Sequence, residues 1–258
     1  MNYLEKYNLK NKTAFVIGGS GLIGSEVSKA LFELGAKVIV IDKVKNNNIS
    51  HDKERLRYYK FDISKIDKLE FNFKELVKKH GVPDIFINSS YPRTKDWKNN
   101  SFKKIKYSSF SENLKIHLNT FSWLSKLVAD SMAKNNKNGT IIQLSSIYGI
   151  VGQNLEIYKE TKMSESMTYS VIKGGINNLT RQMSSYYGKY GIRINSLCAG
   201  GVFDNQNKSF VKNYKKIVPL KRMANSDEIA SVIAFLSSDA SSYITGSMIM
   251  VDGGWTAI

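Results

Sequence analysis

The sequence predicts an α/β protein whose core is one doubly wound parallel sheet with helices on both faces. Short apolar runs alternate with longer amphipathic runs, and a glycine-rich turn follows the first apolar run. Such alternation indicates right-handed βαβ units, which form a parallel sheet covered on both sides. The length of 258 residues suits a single domain, which would bury roughly 70–75% of its unfolded surface. We therefore expect one domain over residues 1–258.

The predicted elements follow one another along the whole chain. The predicted strands are TAFVIG, KVIVID, YYKFD, DIFIN, GTIIQLSS and IRINSLCA. Helices are predicted over Leu22 to Leu34, over the charged stretch that ends at His80, over FSENLKIHLNTFSWLSKLVADSMAK and after Tyr169. Apolar residues recur three and four apart in the long central helix, which predicts one buried stripe. The stripe comprises Phe110, Leu114, Leu118, Phe121, Leu124, Val128 and Met132.

Composition excludes several classes of protein. The apolar runs are short and the N-terminus is polar, so we expect neither a membrane span nor secretion, and a cytoplasmic location. The single cysteine, Cys198, is expected to be a small core residue. His51, His80 and His117 lack the spacing of metal ligands, so no metal site is expected.

The formal net charge of +16 is spread over the whole chain. Basic proteins bind nucleic acids and other anions. Lysines occur in every segment beside many asparagines, and no nucleic-acid recognition motif accompanies them. We therefore interpret most of the charge as solvated surface and expect no nucleic-acid partner.

The glycine-rich turn GGSGLIG predicts a dinucleotide site of the Rossmann type. Glycines at this place permit a tight turn and let backbone N–H groups approach a pyrophosphate at a helix N-terminus. Asp42 ends the second predicted strand, 24 residues after Gly18 (42 − 18). An acidic side chain there accepts hydrogen bonds from ribose hydroxyls and repels a 2′-phosphate. NAD is therefore the expected cofactor, and NADP remains the alternative because Lys43 is adjacent.

The chain resembles the short-chain dehydrogenase/reductase family nearly from end to end. The shared motifs are GGSGLIG, FDIS, INSS, LSSIYG, YSVIK, RINSLCAGGV and the C-terminal segment PLKRMANSDEIASVIAFLSSDASSYITGSMIMVDGG. By this resemblance Asp62 and Ile63 border the adenine, Asn88 supports the strand under the cofactor, and Gly201 and Val202 flank the nicotinamide. The implied cofactor-binding residues are Gly18, Ser20, Gly21, Leu22, Ile23, Asp42, Asp62, Ile63, Asn88, Tyr169, Lys173, Gly201 and Val202.

Two Tyr-x-x-x-Lys pairs compete for the family's catalytic position, Tyr158/Lys162 and Tyr169/Lys173. Tyr158 lies 12 residues after Ser146 (158 − 146), a spacing near that of the family, whereas Tyr169 lies 23 after it (169 − 146). The interval of 30 residues from Tyr169 to the Ala-Gly after the next strand (199 − 169) favours the second pair. The run after Tyr169 also continues as the expected small-residue helix. We therefore predict Tyr169 and Lys173 as catalytic, and an insertion from about Leu155 to Met167 at the mouth of the site.

The four-residue spacing of Tyr169 and Lys173 would allow the pair to carry out proton transfer. Residues four apart share a helix face, so the Lys173 ammonium is expected near the Tyr169 hydroxyl, lowering its pKa from about 10. Tyr169 would then exchange a proton with the substrate oxygen, Ser146 would orient that oxygen, and Lys173 would also hold the ribose. The other interpretation is an ordinary exposed helix surface.

Three regions of the chain depart from the family's pattern. Leu22 stands at the middle motif glycine and Ile17 at the preceding threonine. The family's helix asparagine, which anchors a water for proton relay, aligns with His117, so His117 is either a relay or a hydrogen-bonded core histidine. The Pro-Gly after the sixth strand is Ala199-Gly200, and Asp204 replaces a threonine that contacts the nicotinamide amide.

The sequence predicts an NAD(H)-dependent oxidoreductase that interconverts a secondary alcohol and a ketone on a sugar-like, anionic small molecule. Candidate contacts are Arg93, Lys95, Lys208 and Lys212 for the anion, with Trp97 or Tyr158 stacking on the ring. SYPRT, the insertion and GGVFDNQ are similar to members associated with bacterial surface-sugar and flagellin-glycan modification. The alternatives are a 3-oxoacyl thioester reductase and a catalytically silent cofactor-binding protein.

Assembly is predicted from the resemblance and from the apolar C-terminus. The family commonly forms tetramers through the central helix, the helix after Tyr169 and the C-terminal segment. Trp255 and Ile258 give that segment an apolar character that favours burial. We expect a homotetramer, with a dimer as second choice.

Overall fold

A seven-stranded parallel sheet forms the centre of the molecule. The computed structural model describes residues 2–46 and 54–258. His51, which was not expected to bind a metal, lies outside these described residues. The strand order is β3-β2-β1-β4-β5-β6-β7 and every pairing is parallel. The strands are β1 (Thr13–Ile17), β2 (Lys37–Asp42), β3 (Leu56–Lys60), β4 (Ile85–Asn88), β5 (Thr140–Ser146), β6 (Arg193–Ala199) and β7 (Met248–Val251). The predicted doubly wound sheet is confirmed.

Helices cover both faces of the sheet, as predicted. They are α1 (Leu22–Glu33), α2 (Leu69–His80), α3 (Tyr107–Asn113), α4 (Thr120–Lys134), α5 (Met167–Tyr187), α6 (Lys208–Ile217) and α7 (Ser226–Ser237). Helices α1 and α7 pack on one face, while α2, α4 and α5 pack on the other. Strand order reverses between β1 and β4, and ligands of such sheets bind at the carboxyl ends of the strands beside this point.

Alternating side chains of the strands fill two separate cores. Ala14 and Val16 of β1 pack toward α1 and α7, whereas Phe15 and Ile17 pack toward α2 and α4. All four side chains are essentially inaccessible to solvent. A strand covered on both faces needs apolar residues at successive positions, which explains the continuous apolar runs in the sequence.

The central helical region contains an irregularity that the sequence did not predict. A π-helical segment, Leu114–Asn119, separates α3 from α4. The wider π turn shifts the inward face, so Ile116 and His117 are buried while Leu114 and Leu118 are half-buried. The predicted stripe is therefore correct in α4, from Phe121 to Met132, but wrong in its first half, where Phe110 is also only half-buried.

Two expectations from composition can be compared with the structure. Cys198 is fully buried in β6, as predicted for a small core residue. Within residues 2–46 and 54–258, no helix has both the length and the apolar character needed to cross a membrane.

Candidate active site

The glycine-rich turn joins β1 to α1 at the carboxyl edge of the sheet. The N–H groups of Gly18 and Gly19 donate to the Ile41 carbonyl, which fixes the turn against β2. Gly18 has φ +73°, and a Cβ on it would lie 2.6 Å from the Ser90 Cα. A Cβ on Gly24 would lie only 2.1 Å from the Gly18 carbonyl oxygen. Glycine is therefore required at both positions by close backbone approach.

Asp42 presents its carboxylate beside this turn. One oxygen accepts a hydrogen bond from the Ser20 N–H at 3.1 Å, and the other accepts from the Lys43 N–H at 2.7 Å. The Asp42 carbonyl accepts from the Tyr58 hydroxyl at 3.0 Å. These contacts fix the carboxylate at the end of β2, where the sequence placed the recognition of a ribose.

A cleft of about 570 Å³ opens between the glycine turn and the ends of β2, β3 and β4. Five of the predicted cofactor-binding residues line it: Gly18, Gly21, Asp42, Asp62 and Ile63. Beside it, the Ser20 hydroxyl and the Asn88 amide nitrogen are buried and have no hydrogen-bond partner among the described residues. Buried polar groups without partners are rare, so a ligand that bonds to both would complete the site. The cleft therefore fits the adenosine half of a dinucleotide.

The remaining predicted cofactor contacts lie around this cleft. Leu22 is exposed on the first turn of α1, whereas Ile23 packs against the core beneath the sheet. The Gly201 N–H donates to the Tyr214 hydroxyl at 2.8 Å, and Val202 forms a β-bridge with Ala224. The loop after β6 is thus held in place. Asp204 is exposed on this loop.

The structure separates the two Tyr-x-x-x-Lys pairs. Tyr169 and Lys173 lie on one face of α5, with the lysine Nζ 5.5 Å from the centre of the tyrosine ring. Tyr158 ends a short 3-10 helix, Leu155–Tyr158, and Glu160 has φ +60°, so Lys162 is not on a common helix with Tyr158 and is exposed. The geometry required of a helical pair therefore exists at Tyr169 and Lys173.

Ser146 lies at the carboxyl end of β5, next to Tyr169. Its hydroxyl interacts with the Tyr169 phenol in the sense that favours the phenolate and lowers the Tyr169 pKa. The same hydroxyl oxygen accepts from the Tyr148 N–H at 3.2 Å. The predicted serine, tyrosine and lysine are thus assembled in one place.

The ionisation of this group differs from the prediction. Burial raises the pKa of Tyr169, and the hydrogen bond from Ser146 only partly opposes the rise. Burial also lowers the pKa of Lys173 to about 7, because the charged amine is removed from water. Its Nζ instead donates to the Leu144 carbonyl at 2.8 Å. The expectation that Lys173 lowers the Tyr169 pKa is therefore wrong for the cofactor-free protein, in which Lys173 is itself only partly charged at neutral pH.

His117 lies behind the lysine in the π-helical segment. Its ring is fully buried between Tyr91 and Phe121, with centroid distances of 5.5 Å and 5.1 Å. Among the described residues, neither ring nitrogen has a hydrogen bond of normal geometry, although the Pro92 backbone interacts with the ring and partly raises its pKa. Burial, followed by the proximity of Lys173, lowers the pKa of His117, so the ring is neutral at neutral pH. Both predicted roles, a proton relay and a core histidine, stay open. In the part of the chain that the structure describes, no three His, Cys, Asp or Glu side chains form a metal site.

Three aromatic side chains surround Tyr169, of which only Trp97 was predicted as a substrate contact. The rings of Tyr91 and Tyr148 lie edge-on to it at 5.9 Å and 6.4 Å, and Trp97 lies edge-on at 6.4 Å. Burial raises the pKa of Tyr91 and of Tyr148, so both phenols are neutral near neutral pH. Tyr91 and Tyr148 belong to the motifs SYPRT and LSSIYG, but neither was assigned a role, because only the folded chain brings them to Tyr169.

The predicted insertion forms one wall of the site. Ile157 is buried in a small cluster with Phe210, Tyr214 and Trp255. Tyr158 packs against Phe210 at 5.9 Å, and burial raises its pKa to about 12. Its hydroxyl donates to Gln153 and accepts from Tyr148, so it is part of a hydrogen-bonded chain rather than a free peripheral group.

The basic residues predicted to contact substrate lie at the rim. Arg93 and Lys95 line the cleft, with the Arg93 guanidinium 5.3 Å from the centre of the Tyr91 ring. Lys208 and Lys212 are exposed on α6, which packs beside the insertion. The charged groups thus surround a reacting centre that is itself neutral and aromatic.

Comparison with known proteins agrees with this architecture. A family model described as enoyl-(acyl carrier protein) reductase matches residues 20–256. The post-translational flagellin modification protein A of Campylobacter coli is 34% identical over 96% of this chain and 99% of its own. A 3-oxoacyl-(acyl-carrier-protein) reductase of Buchnera aphidicola is 29% identical, covering 95% and 98% of the two chains.

A solved structure supports the same assignment. The short chain dehydrogenase of Leptospira borgpetersenii, with bound NAD+, superimposes with a TM-score of 0.87 at 30% identity, over 99% of this chain and 96% of that one. Membership of one family therefore explains the sequence motifs, the parallel sheet and the grouping of Ser146, Tyr169 and Lys173. The chain belongs to the short-chain dehydrogenase/reductase family of oxidoreductases, which act on CH–OH groups.

Proposed function

We propose that residues 1–258 form one catalytic domain that uses NAD(H) to interconvert a secondary alcohol and a ketone on a sugar-like, anionic molecule. The observation that carries the proposal is the grouping of Ser146, Tyr169 and Lys173 beside a dinucleotide-sized cleft bordered by Asp42. These groups match the residue types and the positions that the chemistry requires.

Tyr169 exchanges the proton in this mechanism. A bound nicotinamide supplies or accepts the hydride. The raised pKa keeps the Tyr169 phenol protonated near neutral pH, which suits donation to a ketone oxygen. Ser146 donates a hydrogen bond toward the same region and orients the substrate oxygen.

Lys173 and His117 support the proton exchange from behind. With a pKa lowered to about 7, Lys173 can take up or release a proton near neutral pH. Lys173 also holds the cofactor ribose when its Nζ leaves the Leu144 carbonyl. His117 is neutral and lies close enough to Lys173 to be influenced by its charge, so it is the candidate relay behind Lys173; its lowered pKa means that it would pass a proton on rather than hold one.

Asp42 sets the preference for NAD. A fixed carboxylate at the end of β2 accepts from ribose hydroxyls and repels a 2′-phosphate. We expect NADH to bind more tightly than NADPH in a fluorescence titration of the wild-type protein. The Asp42→Ser variant should lose most of this difference, and tighter binding of NADPH to the wild-type protein would refute the assignment.

The walls of the site favour a polyhydroxylated ring as substrate. Neutral phenols and an indole surround the reacting centre, and such rings both stack on sugars and bond to their hydroxyls. The Arg93 guanidinium lies over the Tyr91 ring beside Tyr169, where it can pair with a phosphate or carboxylate substituent, and Lys95 lies on the rim of the cofactor cleft next to it. The name of the Campylobacter coli relative, a flagellin modification protein, agrees with a carbohydrate substrate.

A 3-oxoacyl thioester reductase is the second candidate. It is favoured by the Buchnera aphidicola relative and by the description of the matching family model. Asp42 opposes it, because the family's thioester reductases normally use NADPH. A catalytically silent binding protein is disfavoured by the assembled Ser146, Tyr169 and Lys173.

A substrate screen distinguishes these candidates. Sugar phosphates, nucleotide sugars and a 3-oxoacyl thioester are each incubated with the protein and cofactor, and turnover is followed at the nicotinamide absorbance. We expect turnover with a member of the sugar classes. Turnover of the thioester alone would replace the proposal with the second candidate.

We also propose a cytoplasmic homotetramer, with a dimer as second choice, that acts on a small molecule and has no nucleic-acid partner. A cytoplasmic pool of NAD(H) suits this chemistry. The lysines are spread over the chain rather than gathered beside a recognition motif.

A further inference from the structure

Gln153 makes four side-chain hydrogen bonds at the edge of the site. Its Oε1 accepts from the Tyr158 hydroxyl at 2.9 Å and from the Ser166 N–H at 3.1 Å. Its Nε2 donates to the Ser166 carbonyl at 2.8 Å and to the Ser170 hydroxyl at 3.0 Å. The amide thus uses both of its donors and both lone pairs of its oxygen.

The partners of Gln153 belong to two different parts of the site. Ser166 is the N-cap of α5, and its hydroxyl accepts from the Tyr169 N–H at 3.2 Å. Ser170 directly follows Tyr169. Tyr158 belongs to the 3-10 helix of the insertion, and its hydroxyl accepts from Tyr148. Gln153 therefore joins the substrate-facing wall to the first turn of the helix that carries Tyr169.

A second buried amide holds the other side of the same turn. The Asn100 carbonyl accepts from the Met167 N–H at 3.0 Å, and its side-chain oxygen accepts from the Thr168 hydroxyl. Asn100 is 1% exposed, whereas Gln153 is half-buried beside the site. The first turn of α5 is thus held between the buried Asn100 amide and the half-buried Gln153 amide.

We propose that Gln153 is a positioning residue that couples the insertion to Tyr169, so that the place of the Tyr169 hydroxyl relative to Ser146 depends on the 155–165 segment. The functional half of this inference rests on the proposed role of Tyr169. Removing the Gln153 amide leaves Ser166 without two of its contacts, and the N-cap that holds the Tyr169 N–H loosens. The Tyr148–Tyr158 chain also loses its terminal acceptor.

The adjacent residue, Asn154, provides a matched control for the Gln153 variant. Asn154 carries the same amide group, but its oxygen accepts from the Glu156 N–H at 3.0 Å and caps the 3-10 helix of the insertion. Among the contacts of the described residues, no side-chain hydrogen bond joins it to α5. Asn154→Ala therefore removes one capping hydrogen bond and leaves the bonds of Gln153 to Tyr158, Ser166 and Ser170 in place.

Two measurements that need no substrate test the inference. The first is amide hydrogen exchange of the peptide covering residues 166–172, in wild type, Gln153→Ala and Asn154→Ala. The second is the ¹⁹F signal of Tyr169 in protein labelled with 3-fluorotyrosine, assigned by its loss in Tyr169→Phe. We expect Gln153→Ala to speed exchange at least threefold and to shift the ¹⁹F signal, while NADH affinity and the exchange of β1 to β3 stay unchanged.

A conservative variant guards against a general folding defect. Gln153→Glu keeps the acceptors for the Tyr158 hydroxyl and the Ser166 N–H but loses the two donated bonds, so both readouts should fall between those of Gln153→Ala and wild type. Asn154→Ala should leave the ¹⁹F signal of Tyr169 in place. If Gln153→Ala leaves both readouts at wild-type values, or if Asn154→Ala changes them equally, Gln153 does not position Tyr169. Neither readout depends on turnover, so this failure is distinct from a failure of the proposed function, which Tyr169→Phe kinetics would reveal.

Discussion

Burial, more than pairing with opposite charges, governs the protonation of the catalytic residues. Tyr169 keeps its proton because the phenolate would be buried, and Lys173 loses part of its charge for the same reason. The sequence predicted which residues would meet, because a Tyr-x-x-x-Lys pair on a helix shares one face. It did not predict the direction of the Tyr169 pKa shift, because that depends on the surrounding aromatic walls and on the absence of a carboxylate beside Lys173.

The lowered pKa of Lys173 predicts how stability depends on pH. The unfolded chain holds this proton up to about pH 10.4, whereas the folded chain releases it near pH 7. Between these values the unfolded state binds more protons, so the contribution of Lys173 to stability rises with pH and is lost as pH falls to about 7. We expect the free energy of unfolding of the cofactor-free protein to gain more between pH 7 and 9 than that of Lys173→Met.

Urea denaturation at pH 7, 8 and 9 measures this difference. The two proteins share their other titrating groups, so the difference between their pH slopes isolates Lys173. Parallel slopes would show that Lys173 keeps an ordinary pKa in the folded protein.

At the scale of elements, the strands and the glycine turn could be predicted from the sequence, whereas the π-helical segment could not. Apolar runs and their alternation with helices are local signals. The segment Leu114–Asn119 was predicted as ordinary α-helix with Leu114 and Leu118 facing the core. It forms a π turn, which places His117 near Lys173. The hydrogen bonds of Gln153 were not predicted either, because its partners come from the insertion and from α5 and meet only in the folded chain.

The close packing of the glycine turn gives a prediction for the first βα unit. A Cβ on Gly24 would collide with the Gly18 carbonyl, so Gly24→Ala must push α1 away from β1. We expect NADH affinity to fall at least tenfold, as measured by fluorescence titration. Gly188→Ala is the control, because nothing lies within 4 Å of a Cβ there. Equal NADH affinity in both variants would mean that the turn does not form the cofactor site.

At the scale of the whole molecule, the sheet brings the cofactor cleft and the catalytic helix to one edge. The order β3-β2-β1-β4-β5-β6-β7 places Asp42, Asn88 and Ser146 at the carboxyl ends of three parallel strands, β2, β4 and β5, on one edge of the sheet. The fold class and this edge followed from the sequence. The expectation that Trp255 helps to form a subunit interface is not supported. Trp255 stacks on Tyr214 at 4.8 Å and is buried within its own chain.

The prediction of a homotetramer now depends on other surfaces. Trp123 on α4 and Tyr186 on α5 are 45% and 56% exposed, and Ile258 is 84% exposed at the C-terminus. Large apolar side chains on these helices favour burial between subunits. Light scattering at micromolar concentration should give four times the 29.1 kDa chain mass, or twice that mass for a dimer. A monomer would contradict both.

The central claim is that Tyr169, rather than Tyr158, exchanges the proton with the substrate. The most direct measurement is the turnover number of Tyr169→Phe and Tyr158→Phe with NADH and the sugar substrate found in the screen. Tyr169→Phe should lose a factor of at least about 10² while keeping its NADH affinity, because only the reacting hydroxyl is removed. Tyr158→Phe keeps its ring against Phe210 and loses only the hydrogen bonds of its hydroxyl with Gln153 and Tyr148. Its turnover should therefore fall far less than that of Tyr169→Phe. Loss of turnover in Tyr158→Phe with intact turnover in Tyr169→Phe would contradict the account and assign catalysis to the first pair.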